Sequence, residues 1–364
     1  MQLHEGSPYE AGLDPDRLNN AYALLEQWTS SGRVPGATLA IARRGVQLPP
    51  RSFGVRQSED GAEPMPPDAV FLVASVTKPV TATALMLLVE RGLVALQDRV
   101  RDVVPEFDGD GREEISLLNL LTHTSGLPDM LPGNLELRRR HAPLTEFVQH
   151  ICRTGLLFRP GTQIRYQSMG TAMAGEIVER ITGMRLREFI QQDICAPLGM
   201  TSTALGIRDD LLPRLAPVNI PEEQRGTDWH WNTPYWRELG APWGGMFASV
   251  QDLVVLLQTF LNGGVYAGRR LMGTTTAAAM IRDQTCRMPE LPRTERIRDR
   301  WGLGWKLSDW VSELSAPGAF GHSGATGTLV GADPRSELVW AIFTTQPGAP
   351  LRYVANAINA AVVD

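Results

Sequence analysis

Residues 71–78 read Phe71-Leu72-Val73-Ala74-Ser75-Val76-Thr77-Lys78, and this segment indicates both the architecture and the chemistry of the chain. The 364 residues include 35 lysines and arginines, of which only Lys78 and Lys306 are lysines. Arginine keeps its proton in a protein, whereas a desolvated lysine can lose it. On a helix, a lysine three positions after a serine lies over the same turn, so its amine can take the hydroxyl proton. The segment therefore predicts a helix that opens at a nucleophilic Ser75 and runs to about Glu90.

The competing interpretation of Ser75 and Lys78 is a surface lysine that follows a serine by chance. With two lysines in the chain, random placement would give roughly 0.1 Ser-X-X-Lys matches. A helix start at Ser75 would also bring the hydroxyl to the positive end of the helix dipole and make the Ser75 amide a candidate donor to an oxyanion. We therefore favour the catalytic interpretation.

The composition is ordinary for a globular protein, with 43% hydrophobic and 21% charged residues. The net charge is −5 and the pI is about 5.8, so we expect no nucleic-acid partner. No apolar stretch approaches the length of a membrane span, so we expect none. The N-terminal residues lack a basic segment followed by an apolar core, which predicts a cytoplasmic protein. Cys152, Cys195 and Cys286 show neither paired nor metal-type spacing, which favours buried free thiols in a reducing compartment.

Strand-like segments lie near both ends of the chain, and helical patterns fill the middle. Early strands are expected at Ala37–Ala42 and Arg51–Arg56, with a polar loop at Ser58–Pro67. Late strands are expected at Trp305–Trp310, Ala319–Ser323, Thr328–Ala332 and Leu338–Thr344, before a closing helix at Arg352–Val362. This order predicts a mixed α/β (α+β) fold in which the N- and C-terminal strands share an antiparallel sheet flanked by helices.

We expect a single domain over residues 1–364, made of two subdomains. The α/β subdomain would comprise approximately residues 1–75 plus 300–364, and a mainly helical subdomain of approximately 76–299 would be inserted into it. A cleft at the boundary between the two is the expected place for a small-molecule site.

Two further clusters carry candidate chemistry. In Tyr166-Gln167-Ser168, a phenol near a deprotonatable amine could shuttle a proton, although a Tyr-X-Ser tripeptide alone is usually structural. The segment Gly321-His322-Ser323-Gly324-Ala325-Thr326-Gly327 lies on a predicted late strand. Its small residues let a substrate approach the backbone, and the Ala325 amide could donate to an oxyanion. The alternative is a glycine-rich turn with a satisfied histidine.

The three clusters, in this order, resemble the serine β-lactamase-like superfamily, whose motifs are Ser-X-X-Lys, Tyr-X-Asn or Tyr-X-Ser, and Lys- or His-X-Gly. The similarity is greatest to the branch that holds class C β-lactamases, D-Ala-D-Ala carboxypeptidases and family VIII carboxylesterases. Three further segments also resemble sequences of this family: Leu120–Pro128, Pro197–Met200 and Gly244–Ser249. The resemblance implies the β-lactamase/transpeptidase-like fold and covers the chain from about Leu13 to its end.

Carried over to this sequence, the resemblance makes Ser75 the acylated nucleophile and Lys78 its base or proton relay. Tyr166 would be the partner base that passes the proton to the leaving group. The amides of Ser75 and Ala325 would form the oxyanion hole. The expected substrate-binding residues are Ser168, His322, Ser323, Gly324, Trp231 and Trp236.

Two departures from the family pattern bear on the substrate. Ser168 stands where penicillin-recognising members have an asparagine, and a hydroxyl reaches less far and has no amide donors. His322 stands where many relatives have a lysine, and a mostly neutral imidazole holds a carboxylate less firmly. Both departures argue against a specialised β-lactamase.

Among the four tryptophans between Trp229 and Trp243, Trp231 and Trp236 are candidates for the wall of an apolar pocket, with core packing as the alternative. No metal-ligand spacing and no nucleotide-binding fingerprint are present in the sequence, so we expect neither metal nor cofactor.

These observations predict a serine hydrolase that works through an acyl-enzyme, most simply a carboxylesterase acting on small or medium esters. A D-amino-acid peptidase, a β-lactamase or an acyltransferase could use the same site on an amide, a lactam or another acceptor. A non-catalytic binding or scaffold protein is the alternative from another class. The sequence leaves the oligomeric state open.

Overall fold

The computed structural model describes residues 2–58, 61–307 and 312–363. The strands are β1 His4–Glu5, β2 Gly36–Arg43, β3 Val46–Gln47, β4 Arg51–Ser58, β5 Gly61–Pro64, β6 Val70–Leu72, β7 Ala204–Leu205, β8 Leu215–Ala216, β9 Met246–Ala248, β10 Val265–Tyr266, β11 Arg269–Arg270, β12 Lys306–Leu307, β13 Phe320–Gly324, β14 Thr328–Asp333 and β15 Leu338–Thr344.

The helices are α1 Pro15–Ser30, α2 Thr77–Glu90, α3 Val100–Val103, α4 Leu117–Leu121, α5 Asn134–Arg139, α6 Leu144–Ile151, α7 Met169–Thr182, α8 Leu186–Ile190, α9 Ala196–Leu198, α10 Pro234–Leu239, α11 Val250–Leu261, α12 Thr274–Met280, α13 Arg293–Arg298 and α14 Arg352–Ala360. Strands thus concentrate at the two ends of the chain and helices in the middle, as the sequence predicts.

The main sheet joins the two ends of the chain. Its strand order is β1-β3-β2-β15-β14-β13-β12, and β4 pairs with the other part of β2. Strand β15 lies antiparallel beside β2, with Ala341 opposite Ala40 and Trp340 opposite Ile41. The expected antiparallel sheet of N- and C-terminal strands is therefore confirmed.

Both faces of this sheet are buried, so every residue of its central strands β2, β14 and β15 is buried, and most of these residues are apolar. Side chains of successive strand residues point to opposite faces. One face carries larger residues such as Ile41 and Trp340 and packs with α1 and α14 in one core cluster. The other face carries Ala40 and Ala341, and there α11 packs on β2, β14 and β15. Small residues on that face let the helix approach closely.

Helix α2 is the centre of the helical part. Every residue from Thr77 to Leu88 is buried, so this helix has no solvent face and shows no amphipathic pattern. It packs against α7 and α8. A second small sheet, with the order β7-β9-β6-β8, leads the chain into the turn before α2. Because β6 lies between β9 and β8, the position of the residues that follow it is fixed by strands on both sides.

Three expectations need adjustment. The polar segment Ser58–Pro67 is not only a loop, because β5 pairs with β4. Ser75 does not open an α-helix: Ala74–Val76 form a 3-10 turn, and α2 begins at Thr77. Of the strand expected at Trp305–Trp310, the structure gives Lys306–Leu307, and residues 308–310 lie outside the described part of the chain.

Candidate active site

Ser75 lies in a tight turn between β6 and α2. The preceding residue, Ala74, has a φ of 45°, in a region that residues with a side chain seldom occupy. Such strain is tolerated where the surroundings fix the backbone. Here the Thr77 hydroxyl donates to the Ala74 carbonyl at 2.6 Å, and the Met246 amide donates to the Thr77 hydroxyl at 3.1 Å. The turn holds the Ser75 side chain at the wall of a cavity.

Lys78 lies one turn after Ser75 and is only 2% exposed. Its Nζ atom is 2.9 Å from Ser75 Oγ and 3.0 Å from the Trp243 carbonyl oxygen. Burial lowers the pKa of the Lys78 ammonium to about 7, although the Asp129 carboxylate opposes this by raising it. A substantial fraction of neutral amine is therefore available near neutral pH, as a proton acceptor for the serine requires.

Tyr166 precedes α7 and faces Lys78, whose Nζ lies 4.6 Å from the centre of the phenol ring. Burial raises the pKa of the Tyr166 phenol, and an interaction with the Ser75 side chain lowers it. The residue is 37% exposed, so water at the open side of the ring weakens this desolvation. The pKa of the phenol is still raised, and this favours a protonated phenol that can give its proton to a departing group.

Strand β13 brings Ala325 close to the Ser75 turn. A Cβ atom on Gly324 would lie 2.2 Å from the Val73 carbonyl oxygen and 2.2 Å from Thr328 Oγ1, so only glycine allows this approach. The Thr328 hydroxyl donates to the Val73 carbonyl at 3.0 Å and ties the two segments together. Neither the Ser75 amide nor the Ala325 amide has a hydrogen-bond acceptor among the described residues. Both are thus available to a substrate oxygen.

Two buried histidines line this region as neutral rings. Burial lowers the pKa of His322 to about 3, and the charge of Lys78 lowers it further in the same direction. Burial likewise holds the pKa of His123 well below its usual value. The Nδ1 atom of His322 lies 2.7 Å from the Ser323 carbonyl oxygen, so Nδ1–H is the donor in this contact. His322 therefore supplies shape and a hydrogen-bonding edge rather than a positive charge.

The cavity has a volume of about 870 Å³. The sequence-predicted site residues on its wall are Ser75, Tyr166, His322, Ser323, Gly324 and Ala325. Lys78 lies behind Ser75. The structure thus brings the three sequence clusters together around one hydroxyl.

Three predicted substrate-binding residues do not line the cavity. Ser168 is buried, and its hydroxyl donates to Asp129 Oδ1 at 2.6 Å. Trp236 is 5% exposed and lies in the main core cluster, where the Arg138 guanidinium stacks 4.5 Å from its ring centre. Trp231 packs half-buried against the same cluster. The two tryptophans therefore have the surroundings expected for core packing.

The sequence interpretation missed other residues that shape the cavity. Trp301 packs against His123, with 4.1 Å between ring centres, and lies 6.0 Å from the Tyr166 ring. Lys306 lines the same wall and forms an ion pair with Asp299. The one available signal is the rarity of lysine, because Lys306 lines this wall and Lys78, the other lysine of the chain, contacts Ser75 from behind. Nothing in the local sequence of Trp301 or Asp299 indicates their positions.

No group of histidine, cysteine and acidic side chains within residues 2–58, 61–307 and 312–363 is arranged to hold a metal ion. Across the same ranges, the helices fall short of the length and apolar character that crossing a membrane requires.

Residues 21–364 match the Beta-lactamase family. Among curated proteins, the chain is 26% identical over 393 residues to a protein of Salmonella agona named "Putative D-alanyl-D-alanine carboxypeptidase", an alignment that spans 96% of this chain and 87% of the relative. Among solved structures, a penicillin-binding protein homologue from Caulobacter crescentus aligns with a TM-score of 0.77 at 25% identity, over 96% of this chain and 98% of the other.

A family VIII carboxylesterase has the same fold, with a TM-score of 0.77 at 22% identity over 96% of this chain and 98% of the other. The family match covers nearly the whole chain, and the structural neighbours share its mixed architecture of a sheet and many helices. The chain therefore belongs to the Beta-lactamase family and has the penicillin-binding-protein-like fold of that family of hydrolases.

Proposed function

We propose that the protein is a serine hydrolase that forms an acyl-enzyme on Ser75, and that it acts as a carboxylesterase on small or medium esters. The observation that carries this proposal is the 2.9 Å contact between a buried Lys78 amine and the Ser75 hydroxyl at a cavity wall. Burial lowers the pKa of Lys78 to about 7, which supplies a base at the operating pH of most enzymes. A scaffold protein has no need of such an amine.

In the proposed acylation step, Ser75 Oγ attacks the ester carbonyl while Lys78 Nζ takes the hydroxyl proton. The negative oxygen that forms is held by the amides of Ser75 and Ala325. The intermediate collapses as the C–O bond to the alcohol breaks, and Tyr166 gives its proton to the leaving oxygen. Tyr166 then recovers a proton from the Lys78 ammonium beside its ring. Water repeats the sequence on the acyl-enzyme, and the acid and Ser75 are released.

The surroundings of Ser168 favour an ester over a β-lactam. The hydroxyl of Ser168 is already committed to Asp129, so this position presents no amide donor to the acyl side of a substrate. An ester that carries no acyl-side amide loses nothing by this arrangement. The neutral His322 ring points the same way, since it cannot pair with the carboxylate of a β-lactam as an ammonium would.

A D-amino-acid peptidase is the second candidate, and the curated relative at 26% identity favours it, because that protein is named a putative D-alanyl-D-alanine carboxypeptidase. The first half of the reaction is identical for an ester, an amide and a lactam, and acyl transfer to an alcohol differs only in the acceptor.

We also keep as predictions a single domain over residues 1–364 and a cytoplasmic location. Unfolding in one transition and fractionation of cells test these two.

The test of the proposed function compares p-nitrophenyl butyrate, a D-Ala-D-Ala peptide and the β-lactam nitrocefin on wild type and on Ser75→Ala. We expect turnover of the butyrate ester to be the fastest, no turnover by Ser75→Ala, and a butanoyl group on the Ser75 peptide by mass spectrometry. Faster cleavage of the D-peptide would establish the second candidate instead. A folded wild-type protein that hydrolyses none of the three compounds would refute the hydrolase proposal.

A further inference from the structure

His123 is a buried histidine that the proposed mechanism does not use. It follows α4, is 2% exposed and has a φ of 59°, in the left-handed region that residues with a side chain seldom occupy. Thr124 holds this conformation, because its amide donates to the Asn119 carbonyl at 3.1 Å and its carbonyl accepts from the Gly161 amide at 2.8 Å. Backbone strain of this kind is concentrated at functional sites, so the contacts of the His123 side chain are informative.

His123 holds the backbone on both sides of Tyr166. Its carbonyl oxygen accepts from the Arg165 amide at 2.9 Å, and its Nδ1 atom accepts from the Gln167 amide at 3.1 Å. Because Nδ1 accepts, the proton of the neutral ring lies on Nε2. Gln167 is fully buried, so its amide would lose free energy without this acceptor. The peptide groups before and after Tyr166 are thus both fixed by one residue.

The His123 ring also packs against the phenol. The centres of the two rings are 4.7 Å apart, and the Trp301 ring centre lies 4.1 Å from His123 and 6.0 Å from Tyr166. Lys78 Nζ lies 4.6 Å from the centre of the same phenol ring. These neighbours restrict the orientation of the phenol, although Tyr166 is 37% exposed. The direction of its hydroxyl therefore depends on the imidazole beside it.

Building on the proposed hydrolase reaction, we propose that His123 is a positioning residue that fixes the Tyr166 hydroxyl for proton transfer to the leaving oxygen. His123 exchanges no proton in this role: its Nδ1 lone pair stays with the Gln167 amide and its ring stays beside the phenol. Proton transfer requires hydrogen-bond reach, and a displacement of about 1 Å can cost about 100-fold in rate. Loss of His123 should therefore harm most those esters whose leaving group needs a proton.

Two esters of the same acid test this role. p-Nitrophenyl butyrate releases a stable anion that needs no proton, whereas benzyl butyrate releases a strongly basic oxygen that does. The quantity to compare is the ratio of kcat/KM for the benzyl ester to kcat/KM for the p-nitrophenyl ester. Because both esters give the same acyl-enzyme, differences in deacylation cancel in this ratio.

Four single variants and one double variant are compared with wild type. His123→Ala removes the ring and the acceptor. His123→Asn removes the ring but keeps an acceptor, because asparagine Oδ1 is as many bonds from the backbone as histidine Nδ1, and asparagine also tolerates a positive φ. Tyr166→Phe removes the proton donor itself, and it is also combined with His123→Ala. His150→Ala is the control, because it removes an exposed histidine from α6.

We expect Tyr166→Phe to lower the ratio by about 10²–10⁴-fold, the usual contribution of a general acid. His123→Ala should lower it by about 10- to 100-fold through misplacement of the phenol. His123→Asn should lower it less than His123→Ala, and His150→Ala should leave it unchanged. The double variant should have the ratio of Tyr166→Phe alone, because the effect of His123 passes through the phenol.

An equal loss on both esters in His123→Ala would overturn the inference, since it would mean that His123 only supports the fold. A further drop of the ratio in the double variant would overturn it as well. If His123→Ala fails to fold, His123→Asn decides the matter, and a wild-type ratio in that variant would contradict the role. Failure of the proposed function looks different, because wild type would then hydrolyse neither ester.

Discussion

Lys78 illustrates how much one side chain can decide. The chain places arginine at 33 of its 35 basic lysine or arginine positions, and a guanidinium at residue 78 could still form a hydrogen bond to Ser75. It could not take the proton, because arginine stays charged in proteins. In the proposed mechanism, the site therefore depends on the proton affinity of residue 78 rather than on its charge or reach.

We expect Lys78→Arg to fold and to lose acylation by roughly 10²–10⁴-fold, the usual contribution of a general base. The measurement is the rate of the p-nitrophenolate burst, with circular dichroism as the check on folding. Lys306→Arg is the matched control, because it makes the same change at the other lysine and leaves the proton acceptor in place. A burst at nearly the wild-type rate in Lys78→Arg would contradict the assigned role of the amine.

The pH dependence of kcat/KM on a neutral ester should report on the same amine. The proposed mechanism requires the neutral form of Lys78, and burial lowers the pKa of this residue to about 7. Activity should therefore be low at acidic pH, rise as the pH passes through about 7, and stay level above it, since burial raises the pKa of the Tyr166 phenol and keeps it protonated. A profile that falls between pH 6 and pH 8 has the wrong sign for this assignment.

Asp129 offers a way to shift that profile. Its carboxylate raises the pKa of Lys78 against the larger effect of burial, so Asp129→Asn should move the rising limb to lower pH. Asp16→Asn, which removes an equal charge from the first turn of α1, should leave the limb in place. If both substitutions move it equally, the effect is one of net charge and Asp129 has no specific influence on the amine.

At the scale of elements, the site depends on the close approach of β13 to the turn before α2. We expect Gly324→Ala to lower kcat/KM and to reduce the free energy of unfolding by about 1–3 kcal/mol, the usual range for overpacking. The added Cβ atom would meet the Val73 carbonyl oxygen at 2.2 Å and would push Ala325 away from Ser75. Activity assays and urea titration measure the two effects.

Gly155→Ala is the control for this change, because a Cβ atom there meets nothing within 4 Å. It should alter neither activity nor stability appreciably. If Gly324→Ala behaves like Gly155→Ala, the two segments are not held as closely as the structure indicates, and the Ala325 amide loses its proposed place in the oxyanion hole.

The sequence alone predicts elements well where the pattern is local. The strands around Ala40 and Ala341 are continuous apolar runs, and such runs are typical of strands buried on both faces. The sequence predicts that α2 starts at Ser75, two residues before its start at Thr77, because a positive φ at Ala74 has no local sequence signal. The sequence predicts a loop where β5 lies, because the four residues of β5 are all exposed and owe their conformation to pairing with β4.

The candidate site was predictable at the residues of the three motifs and not beyond them. Ser75, Lys78 and Tyr166 each stand in a recognisable spacing. Trp301 and Asp299 have no such signal, since they reach the cavity only through the path of the chain between α13 and β12. Aromatic composition was a poor guide, because Trp236 lies in the core and not on the cavity wall.

At the scale of the whole molecule, the sheet separates two cores. One cluster lies between the sheet and the pair α1 and α14, and the other holds α2 with the rest of the helical part. The pairing of Ala40 with Ala341 joins segments that are far apart in sequence, so forming it requires closure of a very long loop. Val73, Val76 and Val80, which flank Ser75 and Lys78 in the sequence, belong to the second cluster.

This arrangement predicts that stability and activity can be separated by choosing the core. Leu25 of α1 and Leu85 of α2 are both fully buried, one in each cluster. Replacing either with alanine should cost about 2–5 kcal/mol of unfolding free energy, because a cavity replaces the lost side chain.

In Leu25→Ala, kcat/KM per folded molecule should stay at the wild-type value, since α1 lies across the sheet from Ser75. In Leu85→Ala, kcat/KM per folded molecule should fall, because the space left by the removed side chain lies beside the helix that carries Lys78. This space should loosen the contact between the Lys78 amine and the Ser75 hydroxyl. Urea titrations and assays corrected for the folded fraction measure both quantities. Equal loss of activity in the two variants would mean that the cores are coupled through the sheet and that the site is not supported by its own cluster alone.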